Sequence, residues 1–176
     1  MIRARLTTLP GDRSGMSAVE FALMMPVILL LFMVGFAFSD AIACNRKVTT
    51  TAKSIADLTS RYSSVASSDL STILAASTQV LAPYKASLAT IRVSEVKVTG
   101  ASTSTVQWSQ ASNGSALATN AAVAVPSGMA AVGSYLVMGE VSYSYTPLFT
   151  YGVAQPMTLY DRVFMSPRMS DQVTLQ

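Results

Sequence analysis

Nineteen consecutive residues without a charge, Phe21–Ser39 (FALMMPVILLLFMVGFAFS), constrain this chain more than any other feature. Glu20 bounds the run on one side and Asp40 on the other. As a helix rising 1.5 Å per residue the run would be about 28 Å long, close to the ~30 Å hydrocarbon thickness of a bilayer. Core helices of soluble proteins are usually shorter and amphipathic. The run therefore reads as a membrane span, and no other window of the sequence approaches it.

Basic residues suggest its direction. Arg3, Arg5 and Arg13 precede the span, and Arg46 and Lys47 follow it. The short amino-terminal flank favours N-in, C-out, which puts the remainder in the periplasm or outside the cell. Two other readings fit less well. Ala41-Ile42-Ala43 offers the A-x-A of a signal-peptide cleavage site. However, the apolar run is longer than the usual ~7–15 residues, and Asp40 falls in the would-be cleavage region. A lipoprotein acylated at Cys44 would have Ala41 where a large aliphatic residue is expected.

Composition excludes much chemistry. The 176 residues contain no His, so a His-based triad, acid–base dyad or zinc site cannot form. One Cys excludes an intrachain disulfide and a thiolate metal cluster. Only 12% of residues are charged, against roughly 25% in a typical soluble domain. Beyond Gly15 nine basic residues face eight acidic ones, which is no footprint for nucleic acid. The many serines lack a histidine base. Lys53, Lys85 and Lys97 sit in T-A-K-S, P-Y-K-A and E-V-K-V contexts that mark no activated lysine. No P-loop, dinucleotide fingerprint or nucleophile elbow appears. The expectation is a protein with no catalytic residues, metal, cofactor or small-molecule substrate. Cys44 is expected to pack at the membrane boundary, with palmitoylation or an intermolecular disulfide as the alternatives.

Before the span stands Arg13-Ser14-Gly15-Met16-Ser17-Ala18-Val19-Glu20-Phe21. A basic leader ends in Gly, which tolerates an extended backbone at a scissile bond. Glu20 is favoured by the dipole at a helix N-terminus, yet it borders lipid and calls for a partner or for solvation by headgroups. The segment resembles the cleavage site of type IV prepilins, in which a membrane-embedded aspartyl peptidase cuts after the Gly. That resemblance implies cleavage between Gly15 and Met16. It makes Glu20 the fifth mature residue, paired with the amino terminus of a neighbouring subunit. Ala18, Val19, Glu20, Phe21, Ala22, Leu23 and Pro26 also match the G-x-x-A-V-E-F-A-L-x-x-P opening of TadE-like proteins, minor pilins or pseudopilins of the tight-adherence (Tad, type IVc) pilus. Val141-Ser142-Tyr143-Ser144-Tyr145-Thr146-Pro147-Leu148, Phe164-Met165-Ser166-Pro167-Arg168 and Gln107-Trp108-Ser109 resemble segments of TadE/TadG-type heads.

Pattern supplies the rest. Val48, Ala52, Ile55, Tyr62 and Val65 recur at helical spacing, and no Gly or Pro interrupts between Phe36 and Tyr62. One helix is expected from about Ser17 to Arg61, kinked at Pro26. A second is expected from about Asp69 to Ala82, capped by Ser67-Ser68-Asp69 and stopped by Pro83. Strands are expected at Leu88–Thr99, Thr103–Ser109, Tyr135–Phe149 and Met157–Met165. The apolar phase shifts between Val93 and Val96, which calls for a bulge or for a strand buried on both faces. Residues 109–134 read as a small-residue loop with a turn at Asn113-Gly114. Tyr143 and Tyr145 read as a cross-strand aromatic ladder in preference to a binding surface.

The expected protein is α+β and pilin-like: a long transmembrane helix continuing into a stalk, a short helix, and a four-stranded, mostly antiparallel sheet. Residues 1–15 form the leader, 16–45 the transmembrane helix, 46–66 the amphipathic stalk and 67–176 an extracytoplasmic head. The resemblance implies partners in the bacterial inner membrane, a prepilin peptidase, other pilins or pseudopilins and the Tad assembly platform. It also implies assembly roles for Glu20, Phe21 and Pro26. The alternative is a bitopic or secreted binding module unrelated to pili.

Overall fold

A computed structural model describes residues 15–147 and 155–176. The leader arginines Arg3, Arg5 and Arg13, together with Leu148 and Phe149 at the end of the third expected strand, lie outside the described residues.

Helix α1 runs from Met16 to Ser60, 45 residues, and continues through Pro26. It ends where the Arg61 N–H turns back to the Leu58 carbonyl. Its last third carries a buried stripe of Cys44, Val48, Ala52, Ile55 and Ala56. Val48, Ala52 and Ile55 keep the period expected from the sequence and pack on the head, whereas Tyr62 and Val65 lie beyond the end of the helix, Tyr62 exposed and Val65 in a short strand.

Helix α2, Ser67–Thr78, starts two residues before the expected Asp69. The capping prediction fails. Ala66 is the N-cap, without a side-chain bond. The Ser67 N–H is instead taken by the Gln176 carbonyl, so the backbone of a distant segment replaces the serine hydroxyl. A 3-10 turn, Gln79–Leu81, closes the helix before Pro83.

The main sheet has five strands, not four. β2 (Ala89–Val98), β3 (Thr103–Ser112), β4 (Ala122–Ala124), β5 (Tyr135–Tyr145) and β6 (Met157–Met165) lie in the order β4-β3-β2-β5-β6. All neighbours are antiparallel. The added strand, β4, comes from the stretch read as loop. It is three residues long and buries only Val123, too little to leave a period of two. A separate two-stranded parallel sheet pairs β1 (Ser64–Val65) with β7 (Thr174–Leu175).

Both explanations of the phase shift in β2 hold. Glu95 pairs with Trp108 and Val96 with Val106, so Gln107 is the extra residue of a bulge in β3. The two faces are also buried by different partners. Ile91 and Val93 face the helices, in a core shared with Leu70, Leu74, Val137 and Val141. Val96 and Val98 face a second core built with Val106, Val123, Val125, Leu136 and Met138.

The helix comes closest to the sheet at Gly139. A Cβ there would stand 2.4 Å from the Ala52 carbonyl oxygen and 3.3 Å from the Ala56 Cβ. Alanines on the helix and a glycine on β5 let backbone lie on backbone, a contact no larger side chain would permit.

Candidate functional site

The candidate site is α1 itself, together with the groups that fix it to the head. From Gly15 to Phe32 every residue is solvent-exposed, and the most apolar stretch of the helix is wholly uncovered by the rest of the chain. Among the described residues this is the one helix long and apolar enough to cross a membrane.

Gly15 stands at the N-cap with no side-chain cap, and its carbonyl accepts the Val19 N–H at 3.2 Å. Nothing lies within 4 Å of the position a Cβ would take there. Met16 and Phe21 are 58% and 63% exposed. Glu20 lies one turn into the helix, is exposed, and makes no ion pair among the described residues. Pro26 lies inside the apolar stretch. These residues share one helix, so their order along the chain is also their order in space. All five are solvent-exposed.

At the upper end of the span the sequence motif is silent and the structure adds a latch. The Asp40 carboxylate accepts the Tyr84 hydroxyl at 2.8 Å on Oδ1 and the Tyr145 hydroxyl at 2.7 Å on Oδ2. Tyr143 stands edge-on to Tyr84, with ring centroids 6.1 Å apart. The tyrosine row is therefore neither a ladder nor a free binding surface. It faces α1 and buries one edge of the head against Cys44. Burial raises the Tyr84 and Tyr145 hydroxyls well above the usual phenol range, and donation to Asp40 raises them further. Both therefore remain donors at every physiological pH.

Two more polar clusters organise the head. On the sheet face away from α1, the buried Glu140 accepts Arg92 Nη1 at 3.0 Å, Arg162 Nε at 2.7 Å and the Tyr160 hydroxyl at 2.7 Å. Burial pushes its carboxyl up. The Tyr160 bond and the two guanidiniums outweigh that and hold it below the usual range. On the helix side Glu95, 2% exposed, accepts the Val173 N–H, and Trp108 Nε1 donates to the Val173 carbonyl at 2.6 Å. Burial lifts Glu95 to about 7 despite the bond from Val173. The pair clamps residues 173–176, which complete β7 beside β1.

Sequence reasoning found the N-terminal motif and missed all three clusters. The partners of each are far apart in the chain. Only Asp40, a charge set directly against an apolar run, carried a local sign of a special role. Lys97 lies 5.4 Å from the centroid of the Tyr135 ring. No group of three or more His, Cys, Asp or Glu side chains that could hold a metal occurs among the described residues.

Comparison with known families agrees with the motif. Residues 15–57 match the model of the TadE-like protein family. The matched segment begins at Gly15, spans the apolar run and ends inside the part of α1 that packs on the head. No curated protein and no solved structure matches the chain.

Proposed function

We propose that the protein is a minor pilin or pseudopilin, or an assembly component, of a Tad-type (type IVc) pilus, acting in pilus biogenesis and surface adhesion. The observation that carries this reading is the bare half of α1. A helix whose apolar residues are exposed around its whole circumference needs lipid or other helices around it. It continues without a break into the core of an extracytoplasmic head, the arrangement of a subunit that packs laterally through its helix and presents its head outward.

In this reading a prepilin peptidase cuts between Gly15 and Met16 on the cytoplasmic side of the inner membrane. Gly15 is exposed at the very start of the helix with open space about its Cα, which leaves the bond within reach of a protease once the first turn unwinds. The new amino terminus and Glu20 then supply opposite charges near the hydrocarbon boundary. In lipid, helix association depends on close packing and polar pairing. A Glu20 carboxylate that finds the ammonium of a neighbouring subunit fixes the register between them. Phe21 and Pro26 shape the packing surface next to it.

The test is the intact mass and N-terminal residue of the protein purified from its native membrane. A chain beginning at Met16 supports the processed-subunit reading. An uncut chain removes the fibre role and leaves an anchor acting in assembly. A chain beginning at Cys44 overturns the proposal in favour of a secreted or lipid-anchored binding module.

A further inference from the structure

We infer that the head does not stand away from the bilayer on a stalk: the end of its sheet beside Asp40 is a membrane-seating surface that rests in the lipid headgroup layer next to α1. This inference rests on the reading of the Phe21–Ser39 run as a membrane span and adds where the head lies relative to it.

β5 touches α1 at two places, Gly139 against Ala52 and Ala56, and Tyr145 at Asp40. Along β5 these contacts are six residues apart, about 20 Å. Along α1 they are twelve to sixteen residues apart, about 18–24 Å in the opposite direction. The lengths agree only if β5 runs beside α1, antiparallel to it. The head's long axis therefore follows the helix down toward the membrane.

Asp40 is the first charge after the apolar run. β5 ends at Tyr145, level with Asp40, and the described chain continues beyond it to Pro147. The line of covered positions on α1 does not stop at Asp40 either. Met33 and Ala37, on the same stripe as Cys44 and Val48, are partly covered, while Val34, Gly35, Phe36 and Phe38 are exposed. Met33 lies about 10 Å below Asp40 along the helix.

The described residues at this end are 84–88, 112–115, 144–147 and 155–158, and their only charge is Lys85, which is exposed. Leu88 and Met157 are 44% and 46% exposed there. The Tyr84 and Tyr145 hydroxyls hydrogen-bond the one nearby carboxylate, that of Asp40. The opposite end and rim of the head carry Lys97, Arg168 and Asp171 as well as the Asp57–Arg61 pair. Apolar side chains, tyrosines and a single lysine suit a headgroup boundary, where lysine extends to phosphate and apolar groups reach the upper acyl chains.

The test uses the full chain in phosphatidylcholine–phosphatidylglycerol vesicles, with tryptophan introduced singly as Met157→Trp, Leu88→Trp, Ala101→Trp or Leu30→Trp. The buried native Trp108 is retained as an internal reference. Quenching is read with lipids brominated either near the headgroup or near the chain end. The expected result is strong quenching of M157W and L88W by the shallow bromines, none for A101W at the far turn, and quenching of L30W by the deep bromines. If L30W is quenched while M157W and L88W are not, the seated head is overturned and the span stands. If A101W is quenched as strongly as M157W, the head lies on its side and the end-on seating is overturned. If L30W escapes quenching, the membrane span itself fails, and the inference with it.

Discussion

Gly139→Ala tests the packing of helix on sheet with a single methyl group. The added Cβ would stand 2.4 Å from the carbonyl oxygen of Ala52, and that oxygen belongs to helix backbone that cannot rotate aside. Relief to ordinary van der Waals distance requires α1 to rise about 1 Å from β5. Such a gap forfeits roughly a quarter to a half of the dispersion attraction at each contact it opens. The contacts concerned link Val48, Ala52, Ile55 and Ala56 to Val93, Val137 and Val141, all fully buried. Overpacking of this kind costs about 1–3 kcal/mol, and the rigidity of both backbones puts this case at about 3 kcal/mol. The assay is urea unfolding of the full chain in detergent micelles, followed by the fluorescence of Trp108, the single tryptophan, which borders the same core. Gly35→Ala is the control: nothing lies within 4 Å of that Cβ position, and alanine favours the helix. An unfolding midpoint for G139A equal to that of the native chain would refute the backbone-on-backbone contact. So would equal losses in G139A and G35A.

Further perturbations address other parts of the molecule. Glu20→Ala is expected to leave membrane insertion intact and to impair pilus assembly, and normal piliation by electron microscopy would remove the role proposed for it. Tyr145→Phe deletes one of the two hydroxyls on Asp40 and should cost about 1.5–3 kcal/mol, the range for hydrogen bonds to a charged group. Combining it with Tyr84→Phe should give a non-additive loss in urea unfolding, because both act on one carboxylate. Glu95 binds its proton more tightly folded, at about 7, than at its ordinary 4.5. Stability therefore falls as pH rises from about 4.5 to about 7, by up to about 3 kcal/mol, and levels off above that range. Glu95→Gln should flatten this slope in urea midpoints taken across the window. Arg162→Ala leaves the buried Glu140 with only Arg92 and Tyr160 and should cost about 2 kcal/mol, read as a drop in thermal midpoint.

The sequence was most informative where distance along the chain and distance in space coincide. Gly15, Met16, Glu20, Phe21 and Pro26 could be read as a unit because one helix carries them all. The apolar stripe of Val48, Ala52 and Ile55 could be read because a helix repeats its face every three or four residues. β2, β5 and β6 were legible from their alternation, and the shifted phase of β2 correctly announced two buried faces. What escaped has a common physical cause. The latch joins residues 40, 84 and 145, and the clamp joins 95, 108 and 173, so no local window contains either. β1, β4 and β7 are two or three residues long and cannot display a period. The start of α2 was set by the carbonyl of Gln176 and not by the serines beside it.

The pairing of β1 with β7 has a consequence for the order in which the molecule is made. Ser64 and Val65 come directly after the long helix, yet their strand partners are Thr174 and Leu175. Val173, gripped by Glu95 and Trp108, belongs to the same closing segment. Contacts so distant in sequence form late, because a long loop must close before they stabilise anything. During synthesis the apolar helix can enter the membrane more than a hundred residues before the head can shut. Until residues 173–176 have been made, the head is unfinished, with the edge of β1 unpaired and Glu95 without the Val173 amide. Arrival of residues 173–176 thus becomes the event that commits the head to its folded shape, and a chain stalled short of Val173 would remain an open substrate for proteolysis.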